Sequence, residues 1–332
     1  MVRVTPLIKV TFMKRRILLA ASLAITCGST LAQSAYPEKP IKLVVPYAPG
    51  GSADIAARLI SDAWAKALGG TMYIENKGGA GGNLGVDLVA KSDGDGYTLG
   101  LQTVSLAINP GLTPKMPYDT LKDLAPIGMV ASSQHVLVTT NNFPAKSIAD
   151  LVSLVKSKPG QFNYGSAGAG STFHMSAELF KAVAGVSILH IPYRGGGPAL
   201  IDTIAGQVDM SFPVLAAALP HVQAGKLKAL GVTGPKRSHL MPNVPTIAES
   251  GVPNYAFETW FMVFAPSKTP PAVIEKLNIA LRKALEMPAV RERMVKDGFD
   301  PLPSTPAEAR ARLEKEMPLW GKLIKERGIT AE

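Results

Sequence analysis

The sequence predicts an α/β protein of two lobes joined by two crossing strands. Three observations carry this expectation. Strand and helix patterns alternate along most of the chain. Two long extended runs, near 127–139 and 257–265, bracket a middle block. The length of 332 residues suits two domains at roughly 100–200 residues each. A chain that leaves one lobe and later returns needs two crossings, which the extended runs supply. The competing arrangement is one large sheet without a cleft.

Taken in order, Ile41-Lys42-Leu43-Val44-Val45 is a short apolar strand, ending in Pro46-Tyr47-Ala48-Pro49-Gly50-Gly51. Ser52 then caps a helix with Asp54 in its first turn, where the helix dipole favours negative charge. Ile55, Leu59, Ala63 and Ala67 recur every four residues and predict its buried stripe. A strand at 72–75 follows, then a glycine-rich turn at 78–82, a short helix at 85–91 and a strand at 97–102. Beyond the first extended run come helix 148–156, strand 162–164, helix 172–184, strand 188–191, helix 198–205, strand 208–212, helix 216–224 and strand 228–232. This rhythm predicts a mostly parallel sheet with helices on both faces. After the second extended run the chain turns helical at 271–285, 289–297 and 306–325. The last opens with Thr305-Pro306-Ala307-Glu308, a capping box with Pro at the first helical position.

Composition narrows the function. Hydrophobic residues are 46% of the chain and charged residues 18%, enough apolar material for a large core. The single cysteine, Cys27, excludes internal disulfides and thiolate metal sites. The net charge of +10 is partly local. Residues 1–32 hold Arg3, Lys9, Lys14, Arg15 and Arg16 and no acid, leaving +5 for the rest, too diffuse to define a partner. Lys and Arg are not interleaved with aromatics, so nucleic-acid binding has little support.

The basic run Met13-Lys14-Arg15-Arg16, the apolar stretch Ile17 to Ile25 and the small residues up to Ala32 read as a secretory signal peptide cut after Ala32. Residues 1–12 read as an upstream start extension. The apolar stretch is too short to span a membrane, which takes about 20 residues. Ala24-Ile25-Thr26 is a poor lipoprotein match before Cys27, and the Arg pair only hints at twin-arginine export.

Three glycine-rich loops each run from a strand into a helix: Pro46–Ser52, Tyr164–Ser171 and Tyr193–Pro198. Helix starts carry unpaired N–H groups and bind anions. In open α/β sheets ligands sit beyond the carboxyl ends of strands. Three such loops, in both lobes, predict an anion pincer. Sharper motifs fail: no segment has the phosphate loop G-x-x-x-x-G-K-[ST]. Gly168-Ala169-Gly170 lacks the third glycine of a dinucleotide fingerprint. Tyr164 stands two before Ser166 where a hydrolase elbow needs Gly. The five histidines lie far apart, which predicts no metal site. His174 fits a catalytic base or a histidine bonding nearby backbone. Asp54 fits a ligand amine or the helix start. Arg194 fits a carboxylate or solvent.

These loops, with Glu75-Asn76-Lys77-Gly78-Gly79-Ala80-Gly81-Gly82-Asn83, Ile108-Asn109-Pro110 and Val244-Pro245-Thr246, closely resemble the Bug family over essentially the whole chain after residue 32. These are the extracytoplasmic solute receptors of tripartite tricarboxylate transporters. The resemblance implies a type II periplasmic-binding-protein fold, with lobe 1 as 33–133 plus 260–332 and lobe 2 as 134–259. It implies a periplasmic monomer without cofactor, metal or catalytic residue. A small carboxylate would be held between the lobes and passed to a large and a small integral-membrane subunit. The implied ligand contacts are Tyr47, Gly50, Gly51, Ser52 and Asp54 on one side, and Ser166, Gly168, Gly170, Ser171, His174 and Tyr193 on the other. Gln102, Thr103 and Ser105 would lie beside the cleft. Asn83 would hold its own loop. A di- or tricarboxylate, an acidic amino acid and an aromatic acid all fit. An exported enzyme using His174 and Ser166, and a sensor for a signalling partner, stand as alternatives.

Overall fold

The computed structural model describes residues 1–2, 36–113 and 115–330. The signal peptide, residues 3–12 of the start extension, Cys27 and the Ala32 cut lie outside them. Residues from Lys39 onward form one compact unit.

The chain builds two mixed sheets. The first combines β1 (Ile41–Val45), β2 (Met72–Asn76), β3 (Thr98–Thr103), β4 (Leu124–Gln134), β10 (Glu258–Pro266) and β11 (Asp300–Pro301), in the order β11-β4-β10-β3-β1-β2. The second combines β5 (Val136–Thr140), β6 (Asn163–Ser166), β7 (Leu189–Pro192), β8 (Met210–Ser211) and β9 (Leu227–Val232), in the order β7-β6-β8-β5-β9. Neither is mostly parallel, which corrects the sequence expectation. Strand β1 runs parallel to β2 and β3, and β6 parallel to β7 and β8. The strands at the crossings, β4, β5 and β10, pair antiparallel. A helical crossover returns the chain to the same end of a sheet and gives parallel pairs. A strand entering from the other sheet arrives at the opposite end.

The crossings are short and bolted together. His135 alone separates β4 from β5. Its N–H donates to Thr233 Oγ1 at 2.8 Å, and that hydroxyl donates to Phe257 O at 2.7 Å. Outgoing and returning segments are thus joined through one buried threonine.

The helices are α1 (Ser52–Leu68), α2 (Asn83–Ala90), α3 (Ser105–Leu112), α4 (Ile148–Ser157), α5 (Thr172–Ala184), α6 (Gly196–Ala205), α7 (Leu215–Gln223), α8 (Pro271–Glu286), α9 (Pro288–Lys296) and α10 (Pro306–Arg327). The C-terminal helices pack on the first sheet and its helices: α8 on α1 and β4, and α10 on α3 and β4. The Trp64 indole N–H donates to Leu277 O at 3.0 Å and fixes α1 against α8. The capping box at Thr305 and Glu308 is formed.

Helix α1 departs from the sequence reading in two ways. Ile55, Leu59, Ala63 and Ala67 are only half-buried. The buried face is Ala53, Ala56, Ala57, Ile60, Trp64 and Leu68, where small side chains admit close packing. Nor does Ser52 cap the helix. Gly51 is the N-cap, with no side-chain cap bond. Helix α3 has no counterpart in the sequence reading, because Pro110 argues against one. Pro110 falls near the helix end, so few backbone bonds depend on it.

Candidate functional site

Three helix starts meet in the crevice between the sheets. Gly51, Ser52 and Ala53 open α1, Ser171, Thr172 and Phe173 open α5, and Gly196 opens α6. All seven residues line one cavity, with Tyr47, Thr103 and Ala167. Its empty space is ≈ 270 Å³ including the mouth, and its interior is tight, with room for about one water. The first bonded amide of α1 is Ile55, which donates to Gly51 O at 3.0 Å. For α5 it is Met175 to Ser171 O, at 3.0 Å. His174 N–H is capped by Ser171 Oγ at 3.4 Å, and the amides at Ser52, Ala53, Thr172 and Phe173 have no intrahelical acceptor. The positive ends of the helix dipoles and their unpaired N–H groups face one small space. Among the described residues, no Lys, Arg, Asp or Glu side chain lines it.

Several predicted residues stand behind this wall as braces. Asp54 accepts from Gly50 N–H at 3.0 Å, from Arg58 at 2.9 and 3.0 Å, and from Asn76 at 3.0 Å. Burial pushes its pKa up, but these donors outweigh burial and hold it below the usual carboxylate range. Asp54 therefore shapes the first loop and occupies the Gly50 N–H. In the second loop Gly168 N–H donates to Ser166 Oγ at 3.0 Å, and Gly170 N–H to His174 Nδ1 at 3.2 Å. Tyr193 is turned to Asp202, 2.7 Å away. Of the predicted contacts, Tyr47, Gly51, Ser52, Thr103 and Ser171 reach the cavity wall. Gly50, Asp54, Gln102, Ser105, Ser166, Gly168, Gly170, His174 and Tyr193 are not among its lining.

The lining residues Ala53, Ala167, Thr172, Phe173 and Gly196 were not singled out from sequence. For Ala53, Thr172, Phe173 and Gly196 a signal existed. Each occupies one of the first positions of a helix that follows a glycine-rich loop, where N–H groups lack partners whatever the side chain. Arg194 contributes its carbonyl, which accepts from Ala48 N–H at 3.3 Å. Asn83 Oδ1 accepts from Asn109 at 2.7 Å and Tyr118 at 2.9 Å, holding the 78–83 loop.

A neutral cluster lies behind the second loop. Ser166 Oγ lies 2.6 Å from His190 Nε2, and the His190 ring stacks on His174 at 4.3 Å. Burial lowers His174 to about 4, with Lys181 adding to the effect. Burial and neighbouring His174 lower His190 to about 3. Both rings are neutral at pH 7. Ser166 and His190 are at nucleophile–base distance, whereas His174 is not bonded to Ser166. Ser166 is fully buried, and its Oγ already accepts from Gly168. Glu178, whose charge acts on His190, bonds Tyr164 and Lys181 rather than His190. The Ser166–His190 pair is therefore buried, and no carboxylate is bonded to its histidine among the described residues.

Tyr47 is buried, which raises its pKa against opposing hydrogen bonds from Ser105, Thr103 and Gln102. Its hydroxyl stays protonated and donates to Gly81 O at 3.1 Å. Loops of the two sheets also touch directly: a Cβ on Gly81 would collide with Ala169 O, and one on Gly197 with Pro49 O. The crevice is closed. No helix of the described residues is long and apolar enough to cross a membrane.

Comparison with known proteins places this architecture. BugT of Bordetella pertussis is 37% identical over 303 residues, covering 91% of this chain and 93% of BugT. The structure of the periplasmic binding protein BugD superposes with a TM-score of 0.86 at 33% identity, covering 89% of this chain and 99% of that one. R. palustris Rpa4515, solved with adipate, gives a TM-score of 0.85 at 35% identity over 89% and 99%. The signature described as TctC, tripartite tricarboxylate transporter family receptor, matches residues 56–329. The fold is that of the two-lobed periplasmic binding proteins, and the chain belongs to the tripartite tricarboxylate transporter receptor family.

Proposed function

We propose that this protein captures a small carboxylate in the periplasm and delivers it to a large and a small integral-membrane transporter subunit. The observation that carries the reading is the meeting of three helix starts in one cavity that no charged side chain of the described residues lines. A carboxylate admitted when the crevice opens beyond its present one-water space would accept hydrogen bonds from the amides at Ser52, Ala53, Thr172, Phe173 and Gly196 and from the Ser171 hydroxyl. Charge-assisted bonds of this kind are strong, and closure strengthens them by removing water. The neutral histidines behind the loop keep the amides of the second loop oriented. The adipate held by Rpa4515 supports the ligand class.

In this reading residues 33–133 with 260–332, and residues 134–259, move as two bodies about the His135–Thr233 crossing. The chain is exported with cleavage after Ala32, acts as a monomer and alters no bond in its ligand. The closed form is what the membrane subunits recognise.

The test is incubation of purified protein with a panel of acids, following melting temperature and product together. Stabilisation by one class of acid without turnover supports the receptor. Turnover, or binding that survives Ser171→Ala combined with Gly51→Val, overturns it.

A further inference from the structure

Gly170 joins a buried histidine to the contact between the sheets. Its N–H donates to His174 Nδ1 at 3.2 Å. Its carbonyl accepts from Ser105 Oγ, on the other side of the crevice, at 2.9 Å. A Cβ on Gly170 would collide with Asn109 Oδ1 of α3, so the loop has no room to move toward the first sheet. A backbone N–H can only donate, which fixes the ring: Nδ1 carries the lone pair and Nε2 the proton. His174 is fully buried, and its Nε2 has no hydrogen-bond partner among the described residues.

An added proton can therefore go only to Nδ1. That atom then becomes a donor aimed at the Gly170 N–H, which leaves two donors facing each other and no acceptor for either. The imidazolium would also lack a counter-charge. On its own helix Glu178 and Lys181 bond each other, and Glu178 also takes the Tyr164 hydroxyl from β6. His190 of β7 stacks on the ring at 4.3 Å, so a charge on either histidine opposes a charge on the other. Ser166 of β6 and Ser105 and Asn109 of α3 are uncharged. Residues 168–171 relieve the conflict by swinging away from the first sheet, which breaks the Ser105–Gly170 bond and admits water to the ring.

We infer that His174 is a positioning residue that couples capture to pH: its neutral ring holds Gly170 in the closed arrangement, and uptake of one proton at Nδ1 opens the crevice and releases the bound acid. This rests on the receptor reading above. Burial, with Lys181 adding to it, holds the ring at about 4 in the closed form, against about 6.5 for a histidine in water. Between those values the closed form binds fewer protons than the open one, so affinity falls as pH falls through that window.

The test is calorimetric titration at pH 7.5 and 5.5 with the tightest binder among succinate, citrate, glutamate and benzoate. Circular dichroism at both pH values verifies that each protein is folded. Asn at 174 places an acceptor where Nδ1 stands and does not titrate, so comparison with His174→Asn cancels the acid's own protonation. The wild type should lose roughly tenfold more affinity than His174→Asn between the two pH values. At pH 5.5 it should also release about one more proton per ligand bound, read from the heats in two buffers of different ionisation enthalpy. His174→Leu, without the acceptor, should bind more weakly than His174→Asn at pH 7.5. His190→Gln should keep the wild-type pH dependence. Equal losses in the wild type and His174→Asn overturn the inference and leave the receptor standing. So does a pH dependence that disappears with His190 instead. Failure of the wild type to bind any of the four acids overturns both.

Discussion

Ser105 Oγ donates to Gly170 O across the crevice at 2.9 Å, joining the start of α3 on the first sheet to the loop after β6 in the second. The same hydroxyl lies 3.3 Å from Tyr47 Oη and 3.2 Å from Thr103 Oγ1, so the bond reaches two residues of the cavity wall. Ser105→Ala should cost the closed form about 1 kcal/mol, roughly a fivefold loss in apparent ligand affinity. The open form lacks this contact, so the melting temperature without ligand should shift little. Calorimetry with the tightest acid of the panel measures the first effect. Unchanged affinity would show that this bond does not help hold the crevice shut.

Gly197 separates intrinsic stability from closure. It lies in the first turn of α6, with no side chain to oppose Pro49 O of the first loop. Alanine there raises helix propensity by up to about 1 kcal/mol. Its Cβ would collide with a backbone oxygen from the other sheet. Gly197→Ala should fold at least as well as the wild type, bind ligand much more weakly, and give a larger radius of gyration by X-ray scattering. A fully ligand-competent variant would refute the closure geometry.

Asp54 organises the first loop from behind. Asp54→Asn keeps the shape but weakens bonds to Arg58 and Gly50 and places an NH₂ opposite a donor. Stability should fall by about 2 kcal/mol. Ligand affinity should fall for every acid alike, because the loop loosens as a whole. Loss confined to ligands carrying an amine would instead make Asp54 a direct contact.

The buried histidines set the acid limit. Burial lowers His135 to about 4, against a weaker opposing effect from its bond to Phe212 O, and His174 also lies at about 4. Both would take up protons near pH 6.5 once unfolded. Between pH 6.5 and 4 the unfolded chain binds more protons than the folded one, so stability falls as pH falls through that window. Each histidine contributes up to about 1.4 kcal/mol per pH unit there. Chemical denaturation at pH 7, 6, 5 and 4.5 measures the slope, which His135→Gln should flatten. A midpoint that stays constant from pH 7 to 4.5 would contradict this burial.

Local chemistry made much of this legible. The apolar run of β1 followed by Tyr47-Ala48-Pro49-Gly50-Gly51 marked the first loop, and helix 172–184 agrees with its sequence reading at both ends because Ser171 caps it and Gly185 ends it in the left-handed region. Strand direction was not legible, because it depends on which sheet the chain has just left. Nor was the division of labour within the loops. Gly50, Gly168 and Gly170 look like ligand-binding amides until the fold brings Asp54, Ser166 and His174 to them. Ser166 meets His190 only because β6 and β7 pair in parallel, with Tyr164 opposite His190. The stripe on α1 was misjudged because Ile60, Trp64 and Leu68 recur at the same four-residue spacing as Ile55, Leu59, Ala63 and Ala67, so the period alone does not choose between neighbouring faces.

The most direct measurement is native mass spectrometry of the intact protein before and after addition of the acid panel. Three helix starts converging on one neutral-walled cavity predict a single small acid per chain, displaced by its competitors and recovered with its mass unchanged. A protein that retains no carboxylate at any concentration tried, or that releases one chemically altered, would contradict the account.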